Sequence, residues 1–340
     1  MSALNDGSRS VTLRDVAKAA GVSLATASAA LAGQGRMAVQ TRERIVQTAA
    51  ELKYSRNPLG YGLRTGRTYA IGLHHVDMIR ALNETYLLEF MSGVTQVAHA
   101  QDHDVALLSS NSTTPRRNMP RVDGIIVMDP LSDDARAREL ITSGMPVVSG
   151  EFLPAGMPPG IAVTADHATA VREILDHVYA DGLRSMLLIA PGSNSGWGEA
   201  LRETVRTWCD AHGVRAHYGE YDFGEQDADL LERLVEPILR QNPDIDFVLT
   251  AGAAGVFGAI GAIHAVGRIP GTDVRLACGA DGARLAGAPL FITAVQLPAR
   301  ELGAACAETL LSIVEGDDSA LLPVNRTIPA EVIFRQSTQR

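Results

Sequence analysis

Cysteine is almost absent from this chain of 340 residues, which holds three, at Cys209, Cys278 and Cys306. An odd, widely spaced set with no CxxC pair and no Cys/His cluster supports neither a disulfide framework nor a zinc site. No HExxH occurs among the nine histidines, so a metal is not expected. Nucleophile grammar is missing as well. The run GSNSG at 192–196 has Asn194 where a GxSxG elbow needs serine, and it lacks the lysine of a P-loop. No GxGxxG follows a strand-like run, so no cofactor is implied and an enzyme is not expected. A membrane span is absent too. Residues 247–263 are uncharged but fall short of the roughly 20 needed to cross a bilayer. They open on the strand-like FVLT and then place glycines at 252, 255, 258 and 261, so a buried strand and a closely packed helix are expected. The opening MSALNDGSRS has no apolar secretion core, which leads to the expectation of a cytoplasmic protein.

Charge, by contrast, is present and unevenly placed. Residues 1–67 hold ten Lys/Arg against four Asp/Glu, a balance of +6, so the remainder carries −15 of the overall −9. A basic head on an acidic body is the footprint of a protein that meets phosphates at one end. Inside that head, TLRDVAKAAGVSLATASAALAG (12–33) reads as two short helices joined by a tight turn. Leu13, Val16 and Ala17 give the first helix a buried stripe, Gly21 supplies the turn, and Ser23 is a natural N-cap for the second. Small residues keep that second helix slim enough for a major groove, which is helix-turn-helix grammar. A third amphipathic helix is expected over about 41–52, with Ala38 in place of a capping serine. The Gly-, Pro- and Arg-rich SRNPLGYGLRTGRT then marks a linker.

Beyond the linker, strand-like runs at 69–76, 104–110, 122–128, 145–150, 185–190, 246–251 and 274–280 alternate with helical ones. That alternation predicts an α/β body with parallel sheets covered on both faces, long enough for two sheets with a cleft between them. The domain reading is a headpiece over 1–55, a hinge over 56–68 and a body over 69–340. Within the body, one subdomain takes about 69–163 and 295–323, the other about 164–294 and 324–340.

Taken together, TLRDVAKAAGVS, TRERI, LRTGRT, YAIGL, RVDGIIV, VRLACGAD and PLFITAVQ make the chain resemble the LacI/GalR family of bacterial transcription regulators, from about Thr12 to Phe334. The resemblance implies an N-terminal all-α headpiece on a periplasmic-binding-protein-like body. It also implies a homodimer on a pseudo-palindromic double-stranded operator, with a small-molecule effector and no membrane partner. DNA-facing residues carried over are Thr12, Leu13, Ser23, Leu24, Ala25, Thr26, Ser28 and Ala29. In the hinge they are Asn57, Leu63, which falls where the family wedges a leucine into the minor groove, and Arg64. The family often has Arg where this chain has Ala29. With Leu24, Ala25 and Ala29 at the reading positions, bidentate hydrogen bonds to bases are not available, and contact with thymine methyls remains. Gly60 and Gly62 each cost a hinge helix about 1 kcal/mol relative to Ala, so that helix is expected to form only on the operator.

The effector-binding residues expected from the resemblance and from strand ends are His74, Glu151, Trp197, Glu199, Asp281 and Gln296. Trp197 and Glu199 stand in the region where the family carries arginines, and Gly252-Ala253 replaces a usual Asn-Asp pair. Such a pocket suits a cationic or aromatic molecule better than an ordinary sugar. The alternative is a solute-binding body fused to a vestigial headpiece, which predicts no specific DNA binding.

Overall fold

The computed structural model describes residues 11–31, 33, 35–54, 66–82, 84–108, 120–225, 227–316 and 325–339. The hinge residues Asn57, Leu63 and Arg64 lie outside them. The chain divides into two compact units, Met1–Thr68 and Tyr69–Arg340.

The first unit holds α1 (Leu13–Ala19), α2 (Leu24–Leu31) and α3 (Val39–Glu51). Thr12 opens α1 by donating its backbone N–H (2.8 Å) and its hydroxyl (2.7 Å) to Asp15 Oδ2. That satisfies a donor which the first helical turn cannot pair internally. Gly21 makes the turn at φ +66°, with open space where a Cβ would sit, so glycine is needed there for its backbone rather than for room. Val16, Ala27 and Ile45, one from each helix, are completely buried and meet in a single small core. Arg42 of α3 donates to the Gly35 carbonyl at 3.1 Å, tying α3 to the loop before it. The N-cap of α3 is Ala38, which offers no side-chain acceptor.

The second unit contains two six-stranded sheets among the described residues. In chain order its elements begin with β1 (Ala70–His74), α4 (Met78–Ala81), α5 (Thr85–Ala100), β2 (Asp104–Leu107) and β3 (Gly124–Met128). Next come α6 (Ala135–Ile141), β4 (Val147–Gly150), β5 (Ile161–Ala165), α7 (His167–Ala180) and β6 (Ser185–Pro191). They are followed by α8 (Gly196–His212), β7 (Arg215–Tyr221), α9 (Ala228–Gln241), β8 (Phe247–Thr250) and α10 (Ala253–Ala265). The last are β9 (Arg275–Cys278), β10 (Thr293–Gln296), α11 (Ala299–Glu315), β11 (Asn325–Ile328) and β12 (Glu331–Ile333). The sheets run β11-β5-β4-β3-β1-β2 and β12-β10-β9-β8-β6-β7, and every pairing is parallel except β10 with β12.

Central strands such as β3, β6 and β8 are buried along their whole length, as sheets covered on both faces require. The uncharged stretch at 247–263 forms the expected pair of β8 and α10. No described helix is long and apolar enough to cross a membrane. On the first sheet, α5 and α11 cross so closely that each needs a glycine. A side chain at Gly93 would run into the backbone of Arg300, and one at Gly303 into that of Phe90.

The chain passes between the sheets after β5, after β10 and after β11. This corrects the subdomain boundaries read from the sequence. The sequence pattern places the segment from 324 in the second subdomain, yet β11 pairs with β5 from Asn325↔Ala162 to Ile328↔Ala165 and completes the first sheet. Similarly, β10 belongs to the second sheet through Gln296, so the crossing follows that residue. The strand NRTI is polar and largely exposed, and its fit is to the open edge of β5, which only the fold supplies.

Candidate functional site

Two surfaces carry the candidate functional residues, one on each unit. In the headpiece, Ser23 Oγ accepts the Thr26 N–H at 3.1 Å and lies 2.8 Å from the Thr26 hydroxyl, so α2 starts from a satisfied cap. Helical spacing then turns Ala27 and Ala30 into the core and leaves Ser23, Leu24 and Ala25 outside, with Leu24 at 44% exposure. Thr26, Ser28 and Ala29 are half-buried, and so are Thr12 and Leu13 at the start of α1.

In the body, the C-terminal ends of parallel strands converge on a cleft of about 350 Å³ lined from both sheets. Ligands of open α/β sheets bind at such strand ends. Asp129 follows β3, Glu151 follows β4, His167 follows β5 and Asp281 follows β9. Trp197, at the start of α8, joins them, and Tyr86 approaches from the start of α5.

Glu151 is 2% exposed and adopts φ +83°. Its Oε1 accepts the Ala165 N–H at 3.2 Å, while Oε2 lies 3.1 Å from His167 Nε2 without the alignment of a hydrogen bond. Burial pushes the Asp129 carboxyl well above its usual range, and the charge of Glu151 pushes it in the same direction. The Tyr86 phenol is raised by burial first and then by Glu151 and Asp129. His75, also in the lining, is lowered chiefly by burial, and its Nδ1 accepts the Asp77 N–H at 3.0 Å.

Of the six effector-site residues expected from the sequence, Glu151, Trp197 and Asp281 line this cleft and three do not. His74 is the last residue of β1, but its ring turns into the protein, where Nε2 lies 2.9 Å from Asp134 Oδ2. Burial opposes the charge on Asp134, but the bond from His74 and the Ala137 N–H at 2.9 Å outweigh it and hold the carboxyl below its usual value. Glu199 is exposed and accepts the Ala155 N–H at 3.4 Å. Two positions after Trp197 on a helix of 100° per residue, it faces away. Gln296 is exposed and lines a neighbouring cavity with Phe291 and Arg335, where Arg335 Nη2 also pairs with Asp281 Oδ2 at 2.5 Å. Sequence reasoning missed Tyr86, Asp129 and His167. Asp129 and His167 carried a usable signal, since each comes within two residues of a parallel strand's end.

A helix-turn-helix headpiece followed by a two-sheet body with a ligand-sized cleft defines a class of DNA-binding sensors. Residues 12–57 match the lacI family of bacterial regulatory proteins, and residues 175–338 match a periplasmic binding protein-like domain. The headpiece is thus a lacI-family DNA-binding domain, and the curated relatives that match over nearly the whole chain are transcriptional regulators. It is 26% identical to the maltose regulon regulatory protein MalI of Escherichia coli K12, over 96% of this chain and 98% of that one. It is also 26% identical to catabolite control protein A of Priestia megaterium, over 97% and 99%. Among solved structures, a lac repressor dimer bound to operator and the anti-inducer ONPF aligns with a TM-score of 0.71 at 20% identity, over 98% of this chain and 100% of that one. A transcriptional regulator CelR–cellobiose complex aligns with a TM-score of 0.67 at 22% identity, over 96% and 99%.

Proposed function

We propose that this protein is a dimeric, cytoplasmic repressor that reads a pseudo-palindromic operator with α2 and is released or recruited by a small molecule in the body's cleft. It acts by binding and not by catalysis. The observation that carries this reading is the two-faced α2. Ala27 and Ala30 fix it to the core, and Ser23, Leu24 and Ala25 stand outside on a helix that no long side chain thickens.

Leu24 and Ala25 on that face, with the half-buried Ala29 a turn further on, determine how bases are read. Leu24, Ala25 and Ala29 have no side-chain donor or acceptor, so thymine methyls and duplex shape supply the discrimination. Hinge residues Asn57, Leu63 and Arg64 would contact the centre of the operator. Effector binding would couple to DNA affinity through movement of the two sheets, a coupling commonly worth about 1–3 kcal/mol.

The test is selection of a preferred duplex by the full-length chain, followed by thymine-to-uracil replacement in each half-site. Loss of one buried methyl contact should weaken binding by about 0.8 kcal/mol, roughly fourfold. Binding should also fall steeply with salt. No effect of uracil at any half-site position would overturn methyl reading. Absence of any selected sequence would favour the solute-binding alternative with an idle headpiece.

A further inference from the structure

Among the described residues, Trp197 Nε1 is buried on the cleft wall without a hydrogen-bond partner, and Glu151 Oε2 and His167 Nε2 stand 3.1 Å apart there without the alignment of a hydrogen bond. Buried polar groups are nearly always well paired, so an unmatched indole N–H beside a misaligned Glu151–His167 contact marks a wall that a ligand's polar groups complete. Charge then narrows what that ligand is. The lining holds Asp77, Glu84, Asp129, Glu151, Glu225 and Asp281 against two arginines, Arg80 and Arg284. The deepest carboxylate, Glu151, is also held at a left-handed backbone angle, a strain that persists where the surroundings impose it.

We propose that the effector taken by this cleft is a small aromatic primary amine, its ammonium received between Glu151 and Asp129 and its ring lying against Trp197. The proposal rests on the cleft being the effector site. An ammonium offers three donors and no acceptor, which matches Glu151 Oε2, held only by a misaligned contact to His167, and a neighbouring carboxyl. The walls supply the remainder. Trp197, Tyr86, Tyr221 and Phe223 give aromatic faces to a ring or to the cation itself. An acceptor on the ligand, such as a phenol oxygen, would meet the Trp197 N–H. Anionic ligands would face the carboxylates, and the Gly252-Ala253 turn offers a sugar no side-chain donor or acceptor.

Asp129 gives the proposal a second signature. With the cleft empty, burial and the nearby Glu151 favour its protonated form. Glu151 acts on it directly, and the Tyr86 phenol and the Cys306 thiol lie within its electrostatic reach. An arriving ammonium favours the carboxylate, so binding should release a proton to the buffer.

The experiment is calorimetric titration of the full chain with tyramine, with its neutral counterpart tyrosol and with glucose, in two buffers of different ionisation enthalpy. Tyramine should bind with proton release, and tyrosol should bind at least about tenfold more weakly. Glu151→Gln should weaken tyramine about tenfold while leaving tyrosol unchanged. Asp129→Asn, which tolerates the same backbone, should abolish the proton release. Gly252→Trp, placed where the lining has open space, should block every cleft ligand. Equal or tighter binding of tyrosol or glucose that Gly252→Trp blocks would overturn the charge assignment and leave the cleft as the effector site. Binding that Gly252→Trp does not affect would overturn both readings. No response to tyramine overturns the amine assignment, and the cleft reading then stands or falls on whether Gly252→Trp abolishes effector control of DNA binding.

Discussion

The headpiece and the body place their candidate functional residues in opposite ways. In the headpiece the candidate residues are those the core leaves outside, Ser23, Leu24 and Ala25 on α2. In the body they are buried or lie along a cleft, and they are polar: Glu151, His167 and Asp129 at strand ends. The headpiece core is small and made mainly of alanine around Val16 and Ile45, while the body carries separate extensive cores on its two sheets. An exposed reading surface therefore depends on a few packing residues. A buried sensing site depends on electrostatic arrangement within a robust frame.

The largest test of that contrast is Ile45→Ala. Truncating the one large side chain shared by three small helices should cost the headpiece about 2–5 kcal/mol, enough to unfold it. Calorimetry should then show the body's transition unchanged while DNA binding is lost; a shifted body transition would break the separation between the units. Gly303→Ala probes the other side. A methyl there meets the Phe90 backbone, so the body should lose about 1–3 kcal/mol or more and the headpiece helices should keep their signal in hydrogen exchange.

Smaller changes sharpen the comparison. Ser23→Ala should cost α2 about 1 kcal/mol, and Ala38→Ser should return a similar amount to α3, whose extended N-cap backbone already suits a serine. Urea titration of helicity in the isolated transition of the headpiece reads both. A pH-dependent stability effect is expected at Asp129. Its native carboxyl keeps a proton that the unfolded chain gives up near the ordinary value of 3.8, so the folded state binds more protons and stability falls as pH rises above that value. Asp129→Asn removes this penalty. Its Tm should exceed that of the parent at pH 7, and the difference should shrink towards pH 4. A difference independent of pH would mean that the side chain acts through packing.

The headpiece was legible because its signals are local. The spacing of Leu13, Val16 and Ala17, the turn at Gly21 and the caps at Thr12 and Ser23 lie within a dozen residues and owe nothing to distant chain. Alternation of strand and helix made the body's class legible for the same reason. The cleft was half legible. Glu151 and Asp281 follow strands, but so does His74, and nothing in the sequence says that its ring turns inward to Asp134 while its neighbour His75 lines the cleft. Glu199 was misplaced because two residues along a helix reverse the direction faced. Tyr86 carried no signal, since its role comes from where α5 begins relative to β4.

By itself the sequence determined that this chain has a basic helix-turn-helix head and an acidic α/β body, because hydrophobic period, caps and charge are properties of neighbouring residues. Only the tertiary structure decided that Asp129, Glu151 and His167 share one wall, that β11 returns to the first sheet, and that Trp197 and Glu199 face opposite ways. Those facts depend on strand order and on the crossings between sheets, which bring together residues that no spacing along the chain connects.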